Sequence, residues 1–267
     1  MFPGGDLSTS RLRTELARDG IFNTRDLGGM TTLDGRVIRP GRVIRADALQ
    51  RVRQSASIFK AAGVTRVLDL REDAERERAG ILQLDGIEVI HHPVLDPTFG
   101  WTSDAGLAPA ELLRTLYREI LESFGDRFAS ALTEIAQVID SGPSGAVAYH
   151  CSLGKDRTGL LTAILLSLLG VTEDEIVADY ARSANATAVQ LQWLWSFGLI
   201  GDEVADEDLS DGLWSARPDT LRSTLEWVRG HYGGFDNYVL DVGLDQTVIE
   251  TLREDLLTSG VQIADQG

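Results

Sequence analysis

Sixteen residues in the middle of the chain, AVAYHCSLGKDRTGLL at Ala146–Leu161, concentrate the residue types able to do chemistry. An apolar run delivers the only cysteine, Cys151, into a short glycine-containing turn that opens an apolar helix. The N–H groups of such a turn and of a helix N-terminus converge on one point, where the helix dipole adds about half a positive charge. With Ser152, Leu153, Gly154 and Lys155 forming the turn, a tetrahedral phosphate fits. Arg157, six residues after the cysteine, is placed to fold back and hold two phosphate oxygens in a bidentate grip that lysine would make less well. The same positive field favours the thiolate, so Cys151 reads as a nucleophile. Gly154 lets the backbone turn tightly, Thr158 can donate to the sulfur, and Lys155 offers a point charge for a second phosphate or carboxylate. His150, which precedes the nucleophile, reads as a loop-orienting residue.

Loss of a phenolate or alkoxide from phosphorus requires a proton, so a carboxylic acid should stand near the leaving oxygen. Asp156 lies in the turn itself. Asp69 ends the run LDLRE, whose carboxyl end should border the same crevice of an open α/β sheet. These two rank together, ahead of Asp96 in VLDPTFGW, and each could instead be a loop-stabilising or helix-capping carboxylate. Arg25 and Arg45 could line the pocket mouth or tie loops through ion pairs. His91 and His92 are adjacent, so from a strand both cannot face one ligand, and no third ligand has fitting spacing. Neither a metal nor a cofactor is expected.

The elements that must position these groups follow from apolar periodicity. Short β-branched or apolar runs at Arg42–Arg45, Val64–Leu70, Ile87–Val94 and Gly145–His150 predict strands. Helical spacing predicts helices over Ser55–Ala62, Pro109–Phe124, Arg127–Ile139 and Thr158–Leu169, the last apolar all round and therefore buried. A capping-box pattern at Thr172 and Glu175 starts another helix. Further helices are expected at Ala186–Trp195, Pro218–Tyr232 and Asp245–Thr258, with Trp193, Trp195, Trp214 and Trp227 packing them together. Alternating strands and helices imply parallel pairing. The expected fold is therefore α/β: a central, mostly parallel sheet flanked by helices, followed by a helical C-terminal part.

Composition sets the outer bounds. At 267 residues the chain is expected to form one domain, with about 20–258 as its folded core. No apolar run is long enough to span a membrane, and Met1–Ser10 lacks the features of a secretory signal. A cytoplasmic protein, or one exported without a cleavable signal, is expected. A net charge of −16 argues against binding nucleic acid. Residues 1–80, however, hold 15 Lys+Arg against 11 Asp+Glu, a local excess of +4, while residues 81–267 hold 10 against 30. Such a basic third can steer an anionic group, or an anionic membrane surface, to one side of an acidic protein. The acidic stretch Asp202–Asp211 reads as a solvated loop.

HCSLGKDRTG resembles the signature of the cysteine phosphatase superfamily: His-Cys, five residues, Arg, then Ser or Thr. Together with NTRDLGGM at Asn23–Met30, VLDLRED at Val67–Asp73 and IVADYARS at Ile176–Ser183, it is similar to the bacterial tyrosine phosphatase family of the mycobacterial secreted phosphatase B type. The resemblance runs from about residue 20 to about 258. It implies activity on phosphotyrosine, with phosphoserine, phosphothreonine and phosphoinositides as further candidate substrates. The lysine of the GK pair and the aspartate before the arginine resemble features of lipid phosphatases, which keeps a lipid or inositol phosphatase open. The segment Leu95–Pro109 leaves room for only a short lid, where the family resembled carries a long helical one. Sulfur transfer and arsenate reduction also use a cysteine in an anion loop, but arsenate reduction needs resolving cysteines that this chain lacks. A non-catalytic phospho-ligand module would be expected to have lost Cys151 or Arg157.

Overall fold

The structure, a computed structural model, describes residues 9–53, 56–97, 99–100, 107–142, 145–196, 198 and 213–258. The expected acidic loop at Asp202–Asp211 and part of the Leu95–Pro109 connection, residues 98 and 101–106, lie outside these residues. In chain order the strands are β1 (Arg25–Asp26), β2 (Val43–Asp47), β3 (Val64–Asp69), β4 (Glu88–His91) and β5 (Ala146–Cys151). The helices are α1 (Thr9–Ala17), α2 (Ala56–Ala61), α3 (Asp73–Ala79), α4 (Pro109–Asp140), α5 (Asp156–Leu168), α6 (Glu173–Ala181), α7 (Ser183–Ser196), α8 (Pro218–Tyr232), α9 (Phe235–Asp241) and α10 (Gln246–Leu256). The sheet order is β1-β2-β5-β3-β4, with β1 antiparallel to β2 and every other pair parallel. β5 is thus central, and its C-terminal residue is Cys151.

Alternation along β5 divides the apolar residues between two layers. Val147, Tyr149 and Cys151 join the large cluster with α4, α5, α6 and the C-terminal helices. Ala146 and Ala148 face the smaller cluster, which includes Leu12 and Leu16 of α1 and Ile58 and Phe59 of α2. Being buried on both faces, β5 reads as a continuous apolar run, as parallel central strands do. α5 behaves likewise: Leu160, Leu161, Ile164, Leu165 and Leu168 are at most 1% exposed, so no polar face exists to turn outward.

Helices expected separately over Pro109–Phe124 and Arg127–Ile139 form one element, α4, broken at Phe124 (φ −130°, ψ 21°). At the next residue, Gly125, an added Cβ would come within 2.6 Å of the Tyr238 hydroxyl and of Val242. The break lies where α9 comes closest. The tryptophans divide. Trp193 packs on Phe22 and under the Arg51 guanidinium, and Trp227 stacks on His231. Trp214 is half-buried. Trp195, 48% exposed, is the most open of the four. Among the described residues, no helix is long and apolar enough to cross a membrane.

Candidate active site

The turn from β5 into α5 takes its shape from ties to its outward-facing carbonyls. Gln190 of α7 donates its side-chain N–H to Ser152 O at 2.9 Å. The Asn23 amide donates to both Leu153 O and Gly154 O at 3.0 Å, and Arg45 donates to Gly154 O at 2.7 Å. In a trans peptide the C=O and the N–H of the following residue point opposite ways. Three consecutive carbonyls bound outside therefore aim the N–H groups of Leu153, Gly154 and Lys155 into the turn. The first turn of α5 stands beside them. Gly154 has φ +64°, and a Cβ there would come within 2.7 Å of Ala46 O, so both conformation and space demand glycine.

Arg157 is 5% exposed and is gripped by a second carboxylate layer. Glu75 of α3 accepts from both terminal nitrogens of its guanidinium, one contact being 2.8 Å, and Glu72 lies 3.6 Å away. Glu75 also accepts from the Ser152 hydroxyl at 2.6 Å and from the Glu72 N–H at 3.1 Å, so a single side chain caps α3 and fixes both ends of the turn. Burial pushes the Glu75 carboxyl up, but the hydrogen bond and charge of Arg157 outweigh it and hold its pKa down at about 2. Burial likewise opposes the charge on Arg157, yet Glu75, Cys151 and Glu72 raise its pKa beyond the ordinary arginine value.

Beneath the turn, β1–β2 pairing sets Arg25 directly opposite Arg45, a like-charge juxtaposition that is destabilising on its own. Asp179 of α6 relieves it. It accepts from Arg25 at 2.5 and 2.9 Å and from Arg45 at 2.7 Å, with all three side chains at most 4% exposed. This corrects the pocket-mouth reading of Arg45 in favour of the loop-tying one: its guanidinium is enclosed and committed to Asp179 and Gly154. Arg25 is similarly saturated by Asp179 and by the Asn23 carbonyl.

Lys155 requires the same correction. Its fully buried ammonium donates to Asp156 and, at 2.9 Å, to Leu213 O, so it braces the fold and does not reach outward for a second phosphate. Asp69 is also enclosed. Arg71 grips both of its oxygens at 2.8 and 2.7 Å, and burial, which would raise its pKa, is outweighed by the hydrogen bonds and charge of Arg71, which lower it. A carboxylate kept charged and shut from solvent has no proton to give, so Asp69 does not suit the role of general acid. His150 is fully buried and 3.6 Å from Asp69, and burial lowers its pKa to about 4, so the ring is neutral and acts by position.

Asp156 opens α5, where it accepts from Tyr117 at 2.7 Å and from Lys155 at 2.5 Å. Tyr117 in turn bonds the Tyr180 hydroxyl at 2.8 Å. The Asp156 side chain is 14% exposed, open to the surface where Asp69 is not. Asp96 pairs with Arg127 at 3.4 Å, beside a groove lined by Glu72, His91, His92 and Pro97. The Thr158 hydroxyl is buried and has no hydrogen-bond partner among the described residues, while Cys151 is 1% exposed. Among the described residues, no group of histidine, cysteine and carboxylate side chains is arranged to hold a metal ion.

Residues 16–258 match the model of the tyrosine phosphatase family. The chain belongs to this family. It is 29% identical over 280 residues to the triple specificity protein phosphatase PtpB of Mycobacterium tuberculosis, an alignment covering 89% of this chain and 97% of that one. It is 28% identical over 234 residues to a putative tyrosine-protein phosphatase of Cupriavidus necator, covering 86% and 84%. A tyrosine-protein phosphatase of Nostoc commune is 26% identical over 259 residues, covering 92% and 77%. Among solved structures, P. aeruginosa TpbA aligns over 78% of this chain and 89% of its own, at 16% identity and a TM-score of 0.33. The family is that of phosphoric monoester hydrolases, and the chain is such an enzyme.

Sequence reasoning did not assign roles to Glu75, Asn23, Asp179, Tyr117 and Gln190. Asn23 and Asp179 stand inside the segments NTRDLGGM and IVADYARS that carry the resemblance, so a signal was present. Glu75 and Gln190 act on the turn from 82 and 38 residues away, and nothing local in the sequence marks them.

Proposed function

We propose that Cys151 attacks the phosphorus of a phosphotyrosine side chain on a protein substrate. The S–P bond forms as the bond to the tyrosyl oxygen breaks, and Asp156 gives its proton to that oxygen. The inward N–H groups and Arg157 hold the three equatorial oxygens. Water then attacks the cysteinyl phosphate, losing a proton to Asp156, and the thiolate departs, helped by the buried Thr158 hydroxyl. One observation carries this reading: three consecutive carbonyls are tied outward around Cys151 while Glu75 presents Arg157. The named relatives support the substrate class, two as tyrosine-protein phosphatases and one as triple specificity. The test is phosphate release from p-nitrophenyl phosphate, phosphotyrosine peptide and phosphoinositide vesicles in the presence of EDTA, by the parent and by Cys151→Ser. Turnover of the peptide by the parent and not by the variant is expected. A preference for the phosphoinositide would make the protein a lipid phosphatase, and turnover surviving in Cys151→Ser would remove the covalent mechanism.

A further inference from the structure

On the outer side of the turn lies a hollow of about 310 Å³, lined by Arg13, Asn23, Thr24, Arg25, Arg182 and Asn185 together with three apolar residues. Among the described residues its wall contains three arginines and no carboxylate. The nearest compensation is Asp179, which is already shared between Arg25 and Arg45 and reaches Arg182 only at 4.0 Å. The like charges are felt: partial burial lowers the pKa of Arg182, and the fields of Arg25 and Arg13 lower it further. Arg13, exposed on α1, forms no ion pair among the described residues. A second, independent feature points the same way. Thr24 is 2% exposed, yet its hydroxyl has no hydrogen-bond partner among the described residues, and it belongs to the wall. A buried polar group left unmade is costly unless something completes it.

We propose that this hollow is a second, non-catalytic site for a phosphate-type anion, with Arg13 and Arg182 as its charged clamps, the Thr24 hydroxyl and the Asn185 amide as additional donors, and Arg25 supplying field from below. An oxyanion satisfies in one step what the wall lacks: a counter-charge for uncompensated guanidinium groups and an acceptor for a buried hydroxyl. The site does not share the catalytic cradle. Asn23 forms the partition, since its amide bonds the outer carbonyls of Leu153 and Gly154 while its residue lines the hollow. The anion has two possible sources, free inorganic phosphate, the product of the reaction, or the phosphate headgroup of an anionic lipid.

The test uses the full chain carrying Cys151→Ser, titrated calorimetrically with inorganic phosphate. Two phosphates per chain are expected. Adding Arg13→Ala and Arg182→Ala should weaken one of them at least tenfold and leave the other, held by the turn, unchanged, which also reports correct folding. Arg182→Glu alone should have the same selective effect. Flotation with vesicles containing phosphoinositide separates the sources. Vesicle binding lost with the two arginines identifies a headgroup, and its absence alongside two-phosphate binding identifies free phosphate. One phosphate per chain before and after the substitutions, or two that both survive them, would overturn the proposal.

Discussion

Replacing Glu75 by glutamine tests the link between the second carboxylate layer and the turn, because the side chain keeps its size while it loses its charge and one of its two accepting oxygens. The pKa of Glu75 falls from 4.5 to about 2 in the folded protein, and its side chain is only 17% exposed. That difference corresponds to about 3 kcal/mol of folding free energy at neutral pH. Because the folded value is depressed, the contribution is complete above the unfolded value near 4.5 and is lost as pH falls toward 2. Glu72, 3.6 Å from Arg157, takes up part of the counter-charge in the variant. A loss of about 2 kcal/mol at pH 7 is therefore expected, shrinking to less than half of that at pH 3. The assay is equilibrium urea unfolding of parent and Glu75→Gln at both pH values, paired with p-nitrophenyl phosphate kinetics at pH 7. Release of Arg157 should reduce kcat/KM by about 100-fold, since misplacing a clamp by an ångström costs that much. A stability difference of equal size at pH 7 and pH 3, or kinetics indistinguishable from the parent, would refute the reasoning.

Three further outcomes are expected. Asp156→Asn should slow turnover of phenyl phosphate far more than that of p-nitrophenyl phosphate, whose leaving group departs without a proton; equal losses on both would remove Asp156 as the acid. Gly154→Ala should lower stability by about 2 kcal/mol or more and abolish turnover, because a left-handed backbone and the Ala46 carbonyl 2.7 Å away both refuse a methyl group; calorimetric unfolding measures the first and phosphate release the second. Asp179→Asn leaves Arg25 and Arg45 facing one another without their counter-ion and should cost about 3–5 kcal/mol, read by urea denaturation at neutral pH.

What the sequence shows and what it hides divides along the range of the interactions. The four parallel strands and α5 are legible because alternation, branching and an unbroken apolar run depend on neighbours alone. The two-residue β1 carries too few residues for a period to register, and α3, which buries no residue, has no apolar face to give one. The turn announces its own contents, Cys151, Gly154 and Arg157. It does not announce that Lys155 and Arg45 face away from the ligand, because their commitments are to Asp156, Leu213 and Asp179, chosen by packing. Asp69 misleads for the same reason: ending a strand at the crevice places it near the chemistry, while Arg71, two residues on, closes it off.

The outward ties of the turn have a consequence for how such a site is inherited and transplanted. The seven residues from Cys151 to Arg157 are often treated as a portable motif. Here the cradle is held by Asn23, Arg45, Glu75 and Gln190, contributed by four separate stretches of chain. Grafting the heptapeptide onto another strand–helix junction would carry over the letters and leave the scaffolding behind. A mutational scan of this protein should accordingly show loss of function clustering at positions scattered from 23 to 190, most of which never touch a substrate.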